Sequence, residues 1–94
     1  MGPYKKGSER DKSKGSSIEQ RMLVLHNDEI NSFDHVMKSL QEICNHDEIQ
    51  AEQCAVLTHL KGYCEIKVGN ILLLENLRNQ LMEKSLTVSI DTFV

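Results

Sequence analysis

Ninety-four residues with 39% hydrophobic content, two Tyr, two Phe and no Trp leave room for one small core and exclude a second domain. The net charge of −3, from 11 basic and 14 acidic residues mixed along the chain, argues against a nucleic-acid or anionic-membrane surface as the main function. No apolar run approaches the roughly 20 residues that span a bilayer, and the polar start has no signal-peptide core, so a cytoplasmic protein is expected.

Residues 1–20, MGPYKKGSERDKSKGSSIEQ, replace periodic apolar positions with Gly, Ser and charge, which predicts a disordered N-terminal extension. It is locally basic through Lys5, Lys6, Arg10, Lys12 and Lys14. The folded domain is expected over 21–94. Met22-Leu23-Val24-Leu25 is a continuous apolar run of strand length, followed by the polar junction His26-Asn27-Asp28-Glu29. Phe33, Val36, Met37, Leu40, Ile43 and Cys44 then recur at helical spacing, with Asn31 or Ser32 able to cap the first turn.

Asp47 followed by Gln50 has the spacing of a capping box and opens a second helix to about His59, with Gly62 suited to the left-handed position beyond its end. Alternation in 63–68 predicts a strand with Cys64, Ile66 and Val68 on one face. A third helix over 71–83 carries Leu74, Leu77 and Leu81, widened by Leu73 and Met82. Leu86, Val88 and Ile90 alternate with polar residues in a closing strand. The order βααβαβ predicts an α+β fold, three strands in one sheet with three helices covering one face.

Cys44, Cys54 and Cys64 form no close Cys-x-x-Cys pair, so neither a zinc site nor a redox motif is expected. Their regular spacing reads as coincidence, each thiol serving as a small apolar side chain. Metal and cofactor are both expected to be absent.

The junction carries more chemistry than a turn requires. Asn27, Asp28, Asn31 and Ser32 suit turns and caps, but Glu29 serves neither. A primary ammonium has three donors and no acceptor; an amide oxygen, a carboxylate and a neutral imidazole nitrogen converging on it would satisfy all three. Asn27, Glu29 and His59 could converge in this way if the second helix packs beside the exit of the first strand. A histidine capping its own helix, and acidic residues complementing a helix dipole, are the competing explanations.

The ordered combination Leu25-His26-Asn27-Asp28-Glu29, Phe33-Asp34-His35-Val36, Gln53 to His59 with Leu60-Lys61-Gly62, and a terminal Leu86-Thr87 to Ile90-Asp91 resembles the ClpS adaptor family from about Arg21 to Asp91. The resemblance implies a non-enzymatic adaptor. Such an adaptor binds the N-terminal residue of N-degron substrates, usually Phe, Leu, Tyr or Trp, and delivers them to a Clp AAA+ unfoldase of the ClpA type. Asn27, Glu29 and His59 match the family's α-amino ligands, and Asp28, Asn31, Phe33, Val36, Ala55, Thr58 and Leu86 match its side-chain pocket. It also suggests that the extension engages the unfoldase. A monomer is expected.

Departures accompany the match. Asn31-Ser32-Phe33 stands where the family pattern has Thr-Pro-Met or Thr-Thr-Met, Glu29 is one methylene longer than Asp, and Ala55 replaces a larger Met. Phe33 is stiffer than Met and changes the pocket's rim, Ala55 leaves its floor less narrowed, and tolerance of bulky N-terminal residues such as Trp or Phe is expected. A ClpS-like interaction module without N-degron recognition is the alternative. A thiol or acid–base enzyme using Cys54 or Cys64 with His59 ranks below both, because no spacing fixes a nucleophile beside a base.

Overall fold

The computed structural model describes residues 19–93 and contains β1 (Gln20–His26), α1 (Phe33–Cys44), α2 (Glu48–Lys61), β2 (Tyr63–Asn70), α3 (Ile71–Glu83) and β3 (Thr87–Asp91). The βααβαβ order and the three-strand, three-helix α+β architecture are those the sequence predicts. Nearly all of the expected extension lies outside the described residues. The first strand starts earlier than its apolar run, at Gln20, because Gln20 and Arg21 pair with Asn70 and Gly69 across the sheet.

Each helix starts and stops where side chains can satisfy its free backbone groups. Ser32, rather than Asn31, caps α1, its Oγ accepting from the His35 N–H at 3.1 Å. At α2 the capping box closes in both directions: Asp47 Oδ1 accepts from the Gln50 N–H at 2.7 Å and Gln50 Oε1 from the Asp47 N–H at 3.2 Å. Asn70 caps α3 through the Leu73 N–H at 2.9 Å. Gly62, at φ +96°, ends α2 by donating its N–H to the Thr58 carbonyl at 2.9 Å.

The sheet order is β2-β1-β3, with both pairings antiparallel. Leu23 and Leu25 enter the core with Leu40, Ala51, Cys54, Ile66, Leu74, Leu77, Leu81 and Leu86. The alternate residues Met22, Val24 and His26 belong to the opposite sheet face, where Tyr63 and Glu65 on β2 and Ser89 and Asp91 on β3 flank them.

The register corrects one expectation. Leu23 pairs with Lys67 and Val24 with Glu65, so Ile66 is the extra residue of a β-bulge. Ile66 remains buried, but the phase flips beyond it. Val68 therefore stands opposite Met22 on the open face at 50% exposure, and Gly69 turns inward. Period-2 reading cannot see an inserted residue. On α3 the stripe is also narrower than expected: Leu74, Leu77 and Leu81 are buried, whereas Leu73 and Met82 stay exposed.

The three cysteines meet in or against the core: Cys44 and Cys54 are buried, and Cys64 packs against them. Burial pushes the Cys44 thiol up to about 11. It does the same to Cys54 more strongly, aided by the adjacent Cys64 thiol. Both groups are held as neutral thiols. Among the described residues no group of His, Cys, Asp and Glu is arranged to hold a metal, and no helix is long and apolar enough to cross a membrane.

Candidate functional site

The junction leaves β1 at His26 and reaches α1 at Phe33 through six residues, Asn27 to Ser32. Its shape is set from within by Asp28. Oδ1 accepts from the Ile30 and Asn31 backbone N–H groups at 3.0 Å each, an Asx turn that leaves Glu29 at the outer bend. The Asn31 amide donates to both Asp28 oxygens at 3.1 and 2.9 Å, and Thr87 Oγ1 donates to Oδ2 at 3.2 Å. Desolvation alone would raise the Asp28 carboxyl, but the bonds from Asn31, Ile30 and Thr87 outweigh it and hold it below its ordinary value.

Two longer-range bonds then place the loop. Asn31 Nδ2 also donates to the Ser85 carbonyl at 2.8 Å, fastening the junction to the turn between α3 and β3. On the other side, the Asn27 N–H donates to the Gly62 carbonyl at 2.9 Å. That bond docks the end of α2, and with it His59, against the exit of β1. The packing on which convergence of Asn27, Glu29 and His59 depends is present.

All three side chains are exposed and line one cavity of about 660 Å³. Its remaining wall contains Asp28, Asn31, Phe33, Val36, Ala55, Thr58 and Leu86, so every residue expected at the site is brought together here. The wall is apolar where α1, α2 and the start of β3 meet and polar along the junction. Ala55 and Thr58 are buried and form a floor of small side chains. The Thr58 hydroxyl is turned away from a ligand role, donating to the Cys54 carbonyl at 2.8 Å. Phe33, 45% exposed, stands at the rim.

Such a cavity offers acceptors at one end and hydrocarbon at the other. It suits a ligand that joins a cationic donor to a bulky apolar group. Neither a nucleophile–base pair nor an oriented acid–base dyad is built from Asn27, Glu29 and His59; their common property is the ability to accept hydrogen bonds.

Two further lining residues were not anticipated, Leu25 and His26. By sequence Leu25 is the last residue of the strand's apolar run. The sequence places His26 in the polar junction, yet it is the last residue of β1, with Nε2 2.7 Å from Ser89 Oγ. Its place immediately before Asn27 was the available signal. His35, one turn into α1, donates from Nε2 to the Lys84 carbonyl at 2.7 Å and reinforces the same loop-to-turn contact as Asn31.

No curated protein sequence matches the chain significantly. A family model described as ATP-dependent Clp protease adaptor protein ClpS matches residues 18–89, most of the chain and every element up to the middle of β3. With its fold and its junction in agreement, the protein belongs to the ClpS family of Clp protease adaptors.

Proposed function

We infer that this adaptor binds proteins through their N-terminal residue, taking a free α-amino group and a bulky apolar side chain, and delivers them to a ClpA-like AAA+ unfoldase for degradation. The observation that carries this reading is the lining of a single cavity by Asn27, Glu29 and His59, opposite an apolar wall that includes Phe33, Val36 and Leu86. The ammonium donates one bond to each acceptor. The carboxylate of Glu29 supplies the countercharge, and the N-terminal side chain displaces water from the wall.

Burial of one large apolar side chain contributes roughly 1.5–3 kcal/mol. Each charge-assisted bond adds on the order of 1.5–3 kcal/mol before desolvation. Together they support a Kd in the micromolar range, about −8 kcal/mol. The short side chains of Ala55 and Thr58 favour Trp and Phe over small residues, because a large ring reaches a floor that Val or Ile leaves unfilled.

The test is fluorescence polarisation with peptides beginning Phe, Leu, Trp, Val or Met, each with a free and an acetylated N-terminus. Binding of Phe and Trp peptides that acetylation abolishes is expected. Equal binding of acetylated peptides would refute amino-group recognition. Absence of binding to every peptide by the folded protein would favour an interaction module that has kept the scaffold alone.

A further inference from the structure

The second helix, α2, is apolar on two faces. Ala51, Cys54, Ala55 and Thr58 turn into the core and are buried, yet Ile49, Val56, Leu57 and Leu60 stand on the outside of the same helix at 66%, 38%, 42% and 72% exposure. At about 100° per residue, Ile49, Val56 and Leu60 fall within about 40° of one another and roughly opposite Ala51 and Thr58. Gln53 lies inside this outer stripe, and Leu57 widens it on one side. A helix packed against one layer needs a single apolar face, so the second is surplus to the fold. It runs three turns, about 16 Å, with its side chains open to solvent.

The borders of the stripe say what kind of partner fits it. Glu48 and Glu52, one turn apart and both exposed, lie along the side that leads to His59. Among the described residues no cation stands within ion-pair distance of either carboxylate. Lys61 belongs to the opposite flank, with Nζ 5.6 Å from the centroid of the Tyr63 ring. Four aliphatic side chains in a row of helical length, edged by two carboxylates, are complementary to an amphipathic helix that carries lysine or arginine beside its own apolar face. Two other occupants fit less well. Residues 1–18 are basic but hold only Met1, Tyr4 and Ile18 as large apolar side chains, too few to cover the stripe. A second copy in antiparallel two-fold contact would set the carboxylates against their own counterparts, and a parallel one would set them against Gln53 and Leu57; the chain's net charge of −3 adds to the repulsion.

We propose that the outer face of α2 is a docking surface for a basic amphipathic helix of a partner protein, seated on Ile49, Val56, Leu57 and Leu60 with its cations against Glu48 and Glu52. Ala55 and His59 line the first cavity from this same helix, so a partner seated here stands beside the rim of that site. The inference does not depend on what the cavity binds.

The experiment titrates the 15N-labelled 94-residue protein with three helix-forming peptides of about 18 residues. One, of Leu, Ala and Lys, has Leu on a single face; the second has the same composition scrambled; the third has Glu in place of Lys. The amphipathic Lys peptide should move the amide resonances of Ile49, Gln53, Val56, Leu57 and Leu60, and the other two should bind at least tenfold more weakly. Ile49→Ser/Leu60→Ser should weaken the Lys peptide tenfold or more, and Glu48→Lys/Glu52→Lys should reverse the preference between the Lys and Glu peptides. All four positions are exposed, and circular dichroism checks that each variant is folded. Equal binding of the amphipathic and scrambled peptides, an unreversed preference in the Lys variant, or resonance changes confined to other faces would overturn the proposal. Dimerisation of the wild type in analytical ultracentrifugation that Ile49→Ser/Leu60→Ser removes would give the face to a second copy. Binding of a peptide of residues 1–18 to this face as tightly as the Lys peptide would give it to the chain's own N-terminal segment. Either of these results also overturns the proposal.

Discussion

Replacement of Asn31 by alanine tests whether one amide holds the junction in shape. The side chain donates to Asp28 Oδ1 and Oδ2 and to the Ser85 carbonyl at 3.1, 2.9 and 2.8 Å, and Asn31→Ala deletes all three contacts at once. The backbone Asx turn survives, because it uses main-chain N–H groups. Two of the lost bonds reach a carboxylate, but the pair is only half-buried, so the net loss is about 1–3 kcal/mol rather than the sum of three strong bonds. For a domain of this size that is a drop in Tm of about 4–20 °C. Differential scanning calorimetry gives the stability. Polarisation binding of a Phe-initiated peptide, recorded well below the new Tm, should show weakened affinity because Asn27 and Glu29 lose their fixed approach. Asn31→Asp, nearly the same in shape, should be worse at pH 7, since it sets one carboxylate against another. A change in Tm below ~2 °C in Asn31→Ala, with binding unaltered, would refute the argument that this amide organises the site.

Asn27→Ala and Glu29→Ala should weaken peptide binding by about tenfold or more with little effect on Tm, because both residues are exposed; binding and melting curves on the same samples check this. Leu74→Ala, at a position with no solvent exposure, should cost about 2–5 kcal/mol in urea titrations, a large share of the stability of a domain this small. Ser85 holds φ +70° without being glycine, so Ser85→Gly should raise stability by about 0.5–1 kcal/mol while keeping the carbonyl that Asn31 uses. Because the Asp28 carboxyl is held below its unfolded value, its contribution is complete above about pH 4 and disappears as pH falls through the folded-state value. The difference in urea midpoint between wild type and Asp28→Asn should therefore be largest near neutrality and shrink below pH 4.

Periodicity made the six elements readable because each one buries a face that repeats with its own pitch, and the caps Asp47 and Gly62 announced themselves by residue type. The bulge at Ile66 was invisible for the same reason. A single inserted residue changes no composition and leaves a plausible alternation behind, so the pattern points Val68 inward whereas the structure has it outside. Leu73 and Met82 widen the stripe in the sequence but not in the structure, because hydrophobicity at the edge of a stripe does not say how wide its partner is. At the site, Asn27, Glu29 and His59 were legible as a set through acceptor chemistry and family resemblance, and the cavity they share follows from packing of α2 on β1. The tie from Asn31 to Ser85 joins residues 54 positions apart, and His26 entered the lining through its position at a strand end. Long-range registry of that kind has no local signature.

The bond from the Asn27 N–H to the Gly62 carbonyl ties the segment carrying Asn27 to the segment carrying His59 by main chain alone. It spans the two segments that carry Asn27 and His59, and neither partner contributes a side chain to it. Side chains around the cavity are therefore free to change without moving the frame on which the ammonium would be measured. A Cβ at position 62 would meet no atom within 4 Å, so it is the backbone angle of +96°, and not space, that reserves the position for glycine. Under the proposed function, selectivity for the side chain and capture of the amino group are separable traits in this scaffold: the first can be retuned by substitution around the cavity, whereas the second also depends on a main-chain frame that such substitutions leave in place.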